Sequence, residues 1–309
     1  MIITQTPLRV SFFGGGTDFP NFYEKYGGCV LTTAINKYVY VIVKPRFDDQ
    51  IRVTYRKAEL VDSVNDIKHD IVRECLKLTG ITKGIEVITI GDVPAGTGLG
   101  SSSAVTVGVL KALHVYKGET MLADWLAEEA CYIEREVLGK TIGIQDQYIS
   151  AYGGFRYFGF DIEGVTTKKV NYGNLFDHLL LFYTGVTREA DTILKVQSKN
   201  VSKNIKVLQE MKKFTTKKVT GRLLNKTWEL KKKLGPISNP KLDKLYKKAL
   251  KAGATGGKIL GAGGGGFLLV YTNDKNRVRK AMKLIEIPID AEPDGSKVIF
   301  DNERAIKTN

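Results

Sequence analysis

The sequence predicts an α+β fold, and three observations carry that reading. A strand-like segment at 84–90 runs through a glycine-rich loop, 92–100, into an apolar helical stretch at 104–115. A second glycine-rich loop, 253–266, feeds a β-like run at 267–271 instead of a helix. Between them, residues 188–234 form a long, basic, amphipathic region with helical spacing. With 309 residues, 43% hydrophobic and 26% charged, the chain has apolar material for one large or two medium domains.

Taken in order, Arg9 to Phe13 is a short apolar run that ends in Gly14-Gly15-Gly16-Thr17-Asp18, a strand delivered into a tight loop with exposed backbone. Residues 30–43 are rich in Val, Ile, Thr and Tyr and predict more sheet. Ser101, Ser102 and Ser103 open the helix at 104–115 with serine-type capping. Residues 120–138 predict a second helix with Leu122, Trp125, Leu126, Ala130 and Ile133 on one side, ending at Gly139. Gly153-Gly154 then leads into an aromatic strand at 155–160, followed by a less regular stretch at 161–178. Residues 179–183 predict a strand and 242–252 a helix. There is no internal repeat and no low-complexity linker.

Several function classes lose support at once. Cys29, Cys75 and Cys131 are odd in number and lack CxxC spacing, so they suggest neither a disulfide framework nor a zinc site. His69, His114 and His178 form no HExxH-type pair. No segment approaches the roughly 20 uninterrupted apolar residues of a membrane span, and the start lacks a signal-peptide layout, so a cytoplasmic protein with no membrane partner is expected. The formal charge of +14 invites a nucleic-acid partner. Much of the excess, however, lies in pairs such as Lys212-Lys213, Lys217-Lys218 and the run Lys231-Lys232-Lys233, at spacings that suit the wet face of helices. No nucleic-acid-binding motif accompanies it, so no such partner is expected, and a basic surface also suits anionic small substrates.

The most informative segment is Pro94-Ala95-Gly96-Thr97-Gly98-Leu99-Gly100-Ser101-Ser102-Ser103-Ala104. Glycines let backbone N–H groups approach an anion, and the following helix start adds partial positive charge. A merely capped helix would also use glycine and serine, but it does not require this many small residues in order. Two familiar phosphate loops fail: Gly139-Lys140-Thr141 ends like a Walker A motif, yet Glu134 stands where its first glycine belongs. Gly261, Gly263 and Gly266 spell GxGxxG, but a strand follows where the dinucleotide fingerprint opens a helix.

The segment at 94–104 resembles the PxxxGLGSSxA signature of the GHMP kinases. Thr6-Pro7-Leu8-Arg9-Val10 with 14–18 is similar to the family's N-terminal substrate motif, and 258–267 to its C-terminal glycine-rich motif. The resemblance spans almost the whole chain. It implies two domains: residues 1–165, an ATP-binding domain like the second domain of ribosomal protein S5, and residues 166–309, an α/β sandwich, with the active site between them. Within the family, the N-terminal run and Gln145-Asp146-Gln147-Tyr148 are most similar to bacterial D-glycero-D-manno-heptose 7-phosphate kinases. Galactokinases differ, carrying a glutamate and a histidine where this chain has Gly15 and Gly16.

The resemblance also implies roles. ATP and Mg²⁺ are expected, with Pro94, Gly96, Gly98, Leu99, Gly100, Ser101, Ser102 and Ser103 around the nucleotide and Ser102 and Glu134 on the metal. Asp146, twelve residues after Glu134, matches the catalytic aspartate, and Arg9 a cation beside it. Gly15, Gly16, Thr17, Asp18, Gly263 and Gly264 fall on the acceptor side, with Arg188 nominated for a substrate phosphate. Each has a plainer alternative: a surface glutamate for Glu134, a loop cap for Asp146, a salt-bridged helix start for Arg188. The expected partner is a small sugar phosphate. A homodimer, another sugar-1-kinase activity such as that on L-fucose, and a catalytically silent ligand sensor stay open.

Overall fold

A computed structural model describes residues 1–186 and 190–302. In chain order its elements are β1 (Ile2–Phe13), α1 (Pro20–Tyr26), β2 (Gly28–Pro45), β3 (Ile51–Thr54), β4 (Ala58–Val61), α2 (Asp70–Thr79), β5 (Ile85–Gly91), α3 (Ser101–Tyr116) and α4 (Ala123–Cys131). There follow α5 (Gln145–Tyr152), β6 (Phe155–Asp161), β7 (Gly164–Lys169), β8 (Leu179–Tyr183), α6 (Ala190–Lys199), α7 (Ile205–Lys212) and α8 (Gly221–Lys232). The last elements are α9 (Pro240–Lys251), β9 (Ala254–Ile259), β10 (Phe267–Thr272), α10 (Lys275–Met282) and β11 (Lys297–Asp301).

Two sheets organise them, as expected for an α+β protein. The larger runs β11-β1-β2-β5-β3-β4, with β6 on β2 and β7 on β6. Along one edge, β2 pairs first with β6 over residues 28–33 and then with β5 over 39–45; its other edge pairs with β1. That double use suits the Val, Ile and Thr content of β2, which is buried on both faces over 28–35 and alternates buried and half-buried over 39–44. Beneath β1 and β2 lies α3, apolar nearly all round, the pattern of an enclosed helix rather than one facing water. Gly108 permits the close approach: a Cβ there would stand 2.7 Å from Thr6 Oγ1.

The smaller sheet is antiparallel β8-β10-β9. Its strands are apolar on both faces because each face meets a different core. Leu179 and Leu181 with Phe267 and Leu269 join the core of the large sheet. Leu180 and Phe182 with Leu268 and Val270 join a second core around Trp228, Tyr246 and Ile259. The strand period of two thus welds both halves of the chain through one thin sheet.

The position 165 falls inside β7, and the first sheet takes its last strand, β11, from far along the chain. The stretch at 161–178 holds this strand, which the sequence does not announce because its residues are mostly exposed and polar. The expected helix at 120–138 is shorter and changes pitch: α4 passes at Tyr132–Val137 into a π-helical turn. The basic helical region is broken into α6, α7 and α8. All three histidines have packing roles: His69 caps α2, His178 stacks on Tyr271, and His114 lies 2.6 Å from Glu119 and 2.7 Å from Glu129. The cysteines form no disulfide. Among the described residues, no helix is long and apolar enough to cross a membrane.

Candidate active site

A cavity of about 630 Å³ opens where the end of β1, the start of α3, the start of α5, the end of α8 and the loop after β9 converge. Arg9 pins three of its walls together. Its main-chain N–H donates to the Leu99 carbonyl at 3.0 Å, and its guanidinium donates to the Gly98 carbonyl at 2.6 Å. The same guanidinium grips Asp146 with two bonds, Nε to Oδ1 at 2.8 Å and Nη2 to Oδ2 at 2.7 Å. This bidentate, charge-assisted pair fixes the carboxylate plane. Asp146 sits in the first turn of α5, where a carboxylate also meets the favourable end of the helix dipole. Its side chain keeps 23% of its surface exposed, whereas that of Arg9 keeps 6%.

Gly100 caps α3 with no side-chain hydrogen bond, so the helix start presents unclaimed N–H groups beside Ser101, Ser102 and Ser103 on the cavity wall. Behind them lies Glu134, fully buried in the π-helical turn. It accepts from Ser102 Oγ and Ser103 Oγ, each at 2.7 Å, and from Gln147 Nε2 at 2.6 Å; Lys140 Nζ stands 3.9 Å away. Burial pushes its carboxyl upward, while those donors and Lys140 pull it back toward the charged form. Glu134 lies in the π turn, a departure from regular helix that is frequent at functional sites. Glu134 is therefore not the surface glutamate that its neighbours Arg135 and Glu136 suggest.

On the other side, Asp18 is buried and accepts from Gly16 N–H at 2.9 Å and Gln145 Nε2 at 3.0 Å. Burial raises its pKa, and the charge of Asp146 adds to the rise. Ser11 Oγ and Gln145 Oε1, both at this wall, have no partner among the described residues. Buried polar atoms left single in this way are open to water or to a polar ligand.

Gly15, Gly16, Gly96, Gly98, Gly100 and Gly263 line the cavity. Four others do not. Thr17 is wholly buried: its hydroxyl donates toward the Gly14 and Cys29 carbonyls, both at 2.8 Å, and accepts from Cys29 N–H, so its one hydrogen is committed to bracing the loop. Leu99 buries its side chain in the core, and Pro94 lies outside the cavity, accepting a bond from Thr97. Gly264 donates its N–H to the Ile237 carbonyl at 2.7 Å. Arg188 lies outside the described residues.

Sequence reading missed Lys140, Lys231 and Lys258, which all line the cavity. For Lys231 a signal exists: Leu224, Thr227 and Trp228 precede it at 3.6-residue spacing and are all buried, so this lysine belongs to the inner face of α8.

A helix start offered to phosphates and an arginine-clamped aspartate facing the same space are what a phosphotransferase needs. The chain belongs to the GHMP kinase family and is an ATP-dependent phosphotransferase. It matches the description "GHMP kinases N terminal domain" over residues 65–154 and "GHMP kinases C terminal" over residues 211–284. It is 32% identical, over 88% of its length and 89% of the relative's, to a D-glycero-alpha-D-manno-heptose 7-phosphate kinase of Campylobacter jejuni. It is 28% identical to an L-fucokinase/L-fucose-1-P guanylyltransferase of Bacteroides fragilis, over 91% of this chain but 35% of that protein. Among solved structures, a D-glycero-D-manno-heptose 1-phosphate kinase from Bacteroides thetaiotaomicron superposes with a TM-score of 0.75 at 25% identity, covering 97% of this chain and 99% of the other.

Proposed function

We propose that the chain transfers the γ-phosphoryl of ATP to the anomeric hydroxyl of D-glycero-D-manno-heptose 7-phosphate, giving the 1,7-bisphosphate. The observation that carries the transfer chemistry is the bidentate Arg9–Asp146 pair beside the start of α3. Asp146 accepts or orients the proton of the attacking hydroxyl, the oxygen attacks phosphorus, and ADP leaves. Arg9 keeps the carboxylate placed and offsets charge that develops on the transferred group. Asp18 accepts from sugar hydroxyls, for which a carboxylate suits two at once. The choice of heptose 7-phosphate is supported by the Campylobacter relative's name and by a cavity rich in buried cations.

Glu134 and Ser102 are hard oxygen donors of the kind Mg²⁺ takes. Among the described residues no group of three or more His, Cys, Asp or Glu is placed to hold a metal, so the remaining ligands would be nucleotide and water oxygens. When bound, Mg²⁺ supplies charge neutralisation at the phosphates. Glu134→Gln keeps the shape and removes the charge; the Mg²⁺ concentration for half-maximal velocity is expected to rise by at least about 10-fold, the lower end of the cost of disturbing even an outer partner of a metal ligand. An unchanged Mg²⁺ titration would rule this assignment out.

The substrate is tested by ADP release from Mg-ATP with heptose 7-phosphate, unphosphorylated heptose, L-fucose and galactose. A phosphate held far from the reacting hydroxyl supplies binding energy that positions that hydroxyl. The expected preference in kcat/KM for heptose 7-phosphate is at least about 10²-fold, or about 2.7 kcal/mol. Equal or better turnover of L-fucose would move the assignment to fucose, the activity in the Bacteroides fragilis relative's name.

A further inference from the structure

Two buried lysines enter the cavity from the second half of the chain, and they are held differently. Lys258 Nζ donates to the carbonyls of Ser11 at 2.9 Å and Phe12 at 3.0 Å, which fastens β9 to the end of β1. Lys231, at the end of α8 and 6% exposed, donates to one acceptor, the Gly261 carbonyl. An ammonium has three N–H donors, so two of them have no acceptor among the described residues. Among the described residues no carboxylate forms an ion pair with it. Burying an ammonium is costly, and an apolar residue of similar length would fill the same space on the inner face of α8 more cheaply. A buried cation with donors to spare is explained by an anion that arrives with the ligand.

Its surroundings say where that anion sits. A Cβ on Gly261 would be 2.5 Å from Gly98 Cα, so the loop carrying the Lys231 acceptor lies directly against the phosphate-side glycine loop. The Gly98 carbonyl in turn receives Arg9, which holds Asp146. The charged groups facing Lys231 are Arg9 and Lys258, which disfavour its charge, and Asp18 and Asp146, which favour it. Burial, with Arg9 behind it, brings the ammonium down to a pKa of about 8.

We propose that Lys231 is a further catalytic residue, whose ammonium binds a non-bridging oxygen of the phosphoryl group while it passes from the nucleotide to the acceptor hydroxyl. The proposal rests on the kinase reading and adds no covalent step: Lys231 stays protonated throughout. The two halves of the chain then each supply one cation to the same group, Arg9 from β1 and Lys231 from α8. The rate must fall once the ammonium loses its proton. A bound phosphate favours the charged form, so the basic limb of kcat lies at higher pH than that of kcat/KM for Mg-ATP.

The experiment compares wild type, Lys231→Met and Lys231→Arg by ADP release, with a phosphorylated and an unphosphorylated acceptor, from pH 6 to about pH 9.5, a range chosen to bracket an ordinary lysine shifted downward. Lys231→Met is expected to lower kcat on the order of 10²-fold with either acceptor, the usual loss for one donor to a transition-state oxyanion, at an unchanged or raised thermal midpoint. Lys231→Arg, which stays charged at every pH used, is expected to recover part of the rate and to lack the basic limb near pH 8. Three results would overturn the proposal: wild-type kcat in Lys231→Met, a loss confined to KM for the phosphorylated acceptor, or a basic limb that persists in Lys231→Arg. The last would place the titration on another group. Turnover by wild type in the same assay tests the kinase reading by itself, so an active wild type beside an equally active Lys231→Met removes this proposal alone.

Discussion

Asp146→Asn is expected to lower kcat by on the order of 10²-fold or more, the range for loss of an acid/base group, while Mg-ATP binds nearly as before. The substitution keeps the shape of the side chain but breaks the match with Arg9. A guanidinium offers only donors, and an amide offers one acceptor oxygen and one NH₂, so one of the bonds at 2.8 and 2.7 Å becomes a donor facing a donor. The loss therefore has two sources, a missing proton acceptor and a misplaced Arg9. Single-turnover kinetics with saturating Mg-ATP separate them from binding, since both act on the chemical step. Wild-type turnover in the variant would remove Asp146 from the chemistry.

Gly98→Val is expected to raise the Kd for Mg-ATP by about 10²-fold or more, about 2.7 kcal/mol. Gly98 has φ +83°, and a Cβ there would lie 2.8 Å from the Leu260 carbonyl oxygen, a backbone atom that cannot swing aside. The loop at 260–266 would have to retreat, and with it the Gly98 carbonyl that anchors Arg9. Gly139 supplies the control: its φ is +63° and nothing lies within 4 Å of a Cβ built there. Gly139→Val should carry the backbone strain of a branched residue at positive φ, on the order of 1–3 kcal/mol, and leave nucleotide affinity alone. Titration calorimetry of both folded variants decides the matter. An unchanged ATP affinity in Gly98→Val would mean that the glycine loop does not cradle the phosphates.

Much of the phosphate side can be read directly from the sequence, because turn glycines and a following apolar run are local signals. Ser102, Glu134, Asp146, Arg9 and Asp18 converge at or immediately behind the wall of one cavity although they are far apart in the chain. What local reading cannot supply is which motif residues face the ligand. Thr17 and Leu99 sit inside their motifs yet brace the loop and fill the core, and only the three-dimensional path of the backbone distinguishes them from Asp18 and Gly98. Lys231 was hidden for another reason. Counting charge along 231–233 suggests a wet face, whereas the helical register from Leu224 through Trp228 turns the first of those lysines inward. Strand β11 carries no signal of its own, since its pairing partner lies at the other end of the large sheet's chain path and none of its residues is fully buried.

That last pairing bears on biosynthesis. Strand β1 is made well before β11, and residues 2–5 find their outer neighbour only in 297–301. While the ribosome works through everything between, the edge of β1 is a strand with open N–H and C=O groups and buried-type residues such as Ile2, the kind of edge that captures other chains. The strand that bears Arg9 therefore stays unguarded on that edge until β11 has been made.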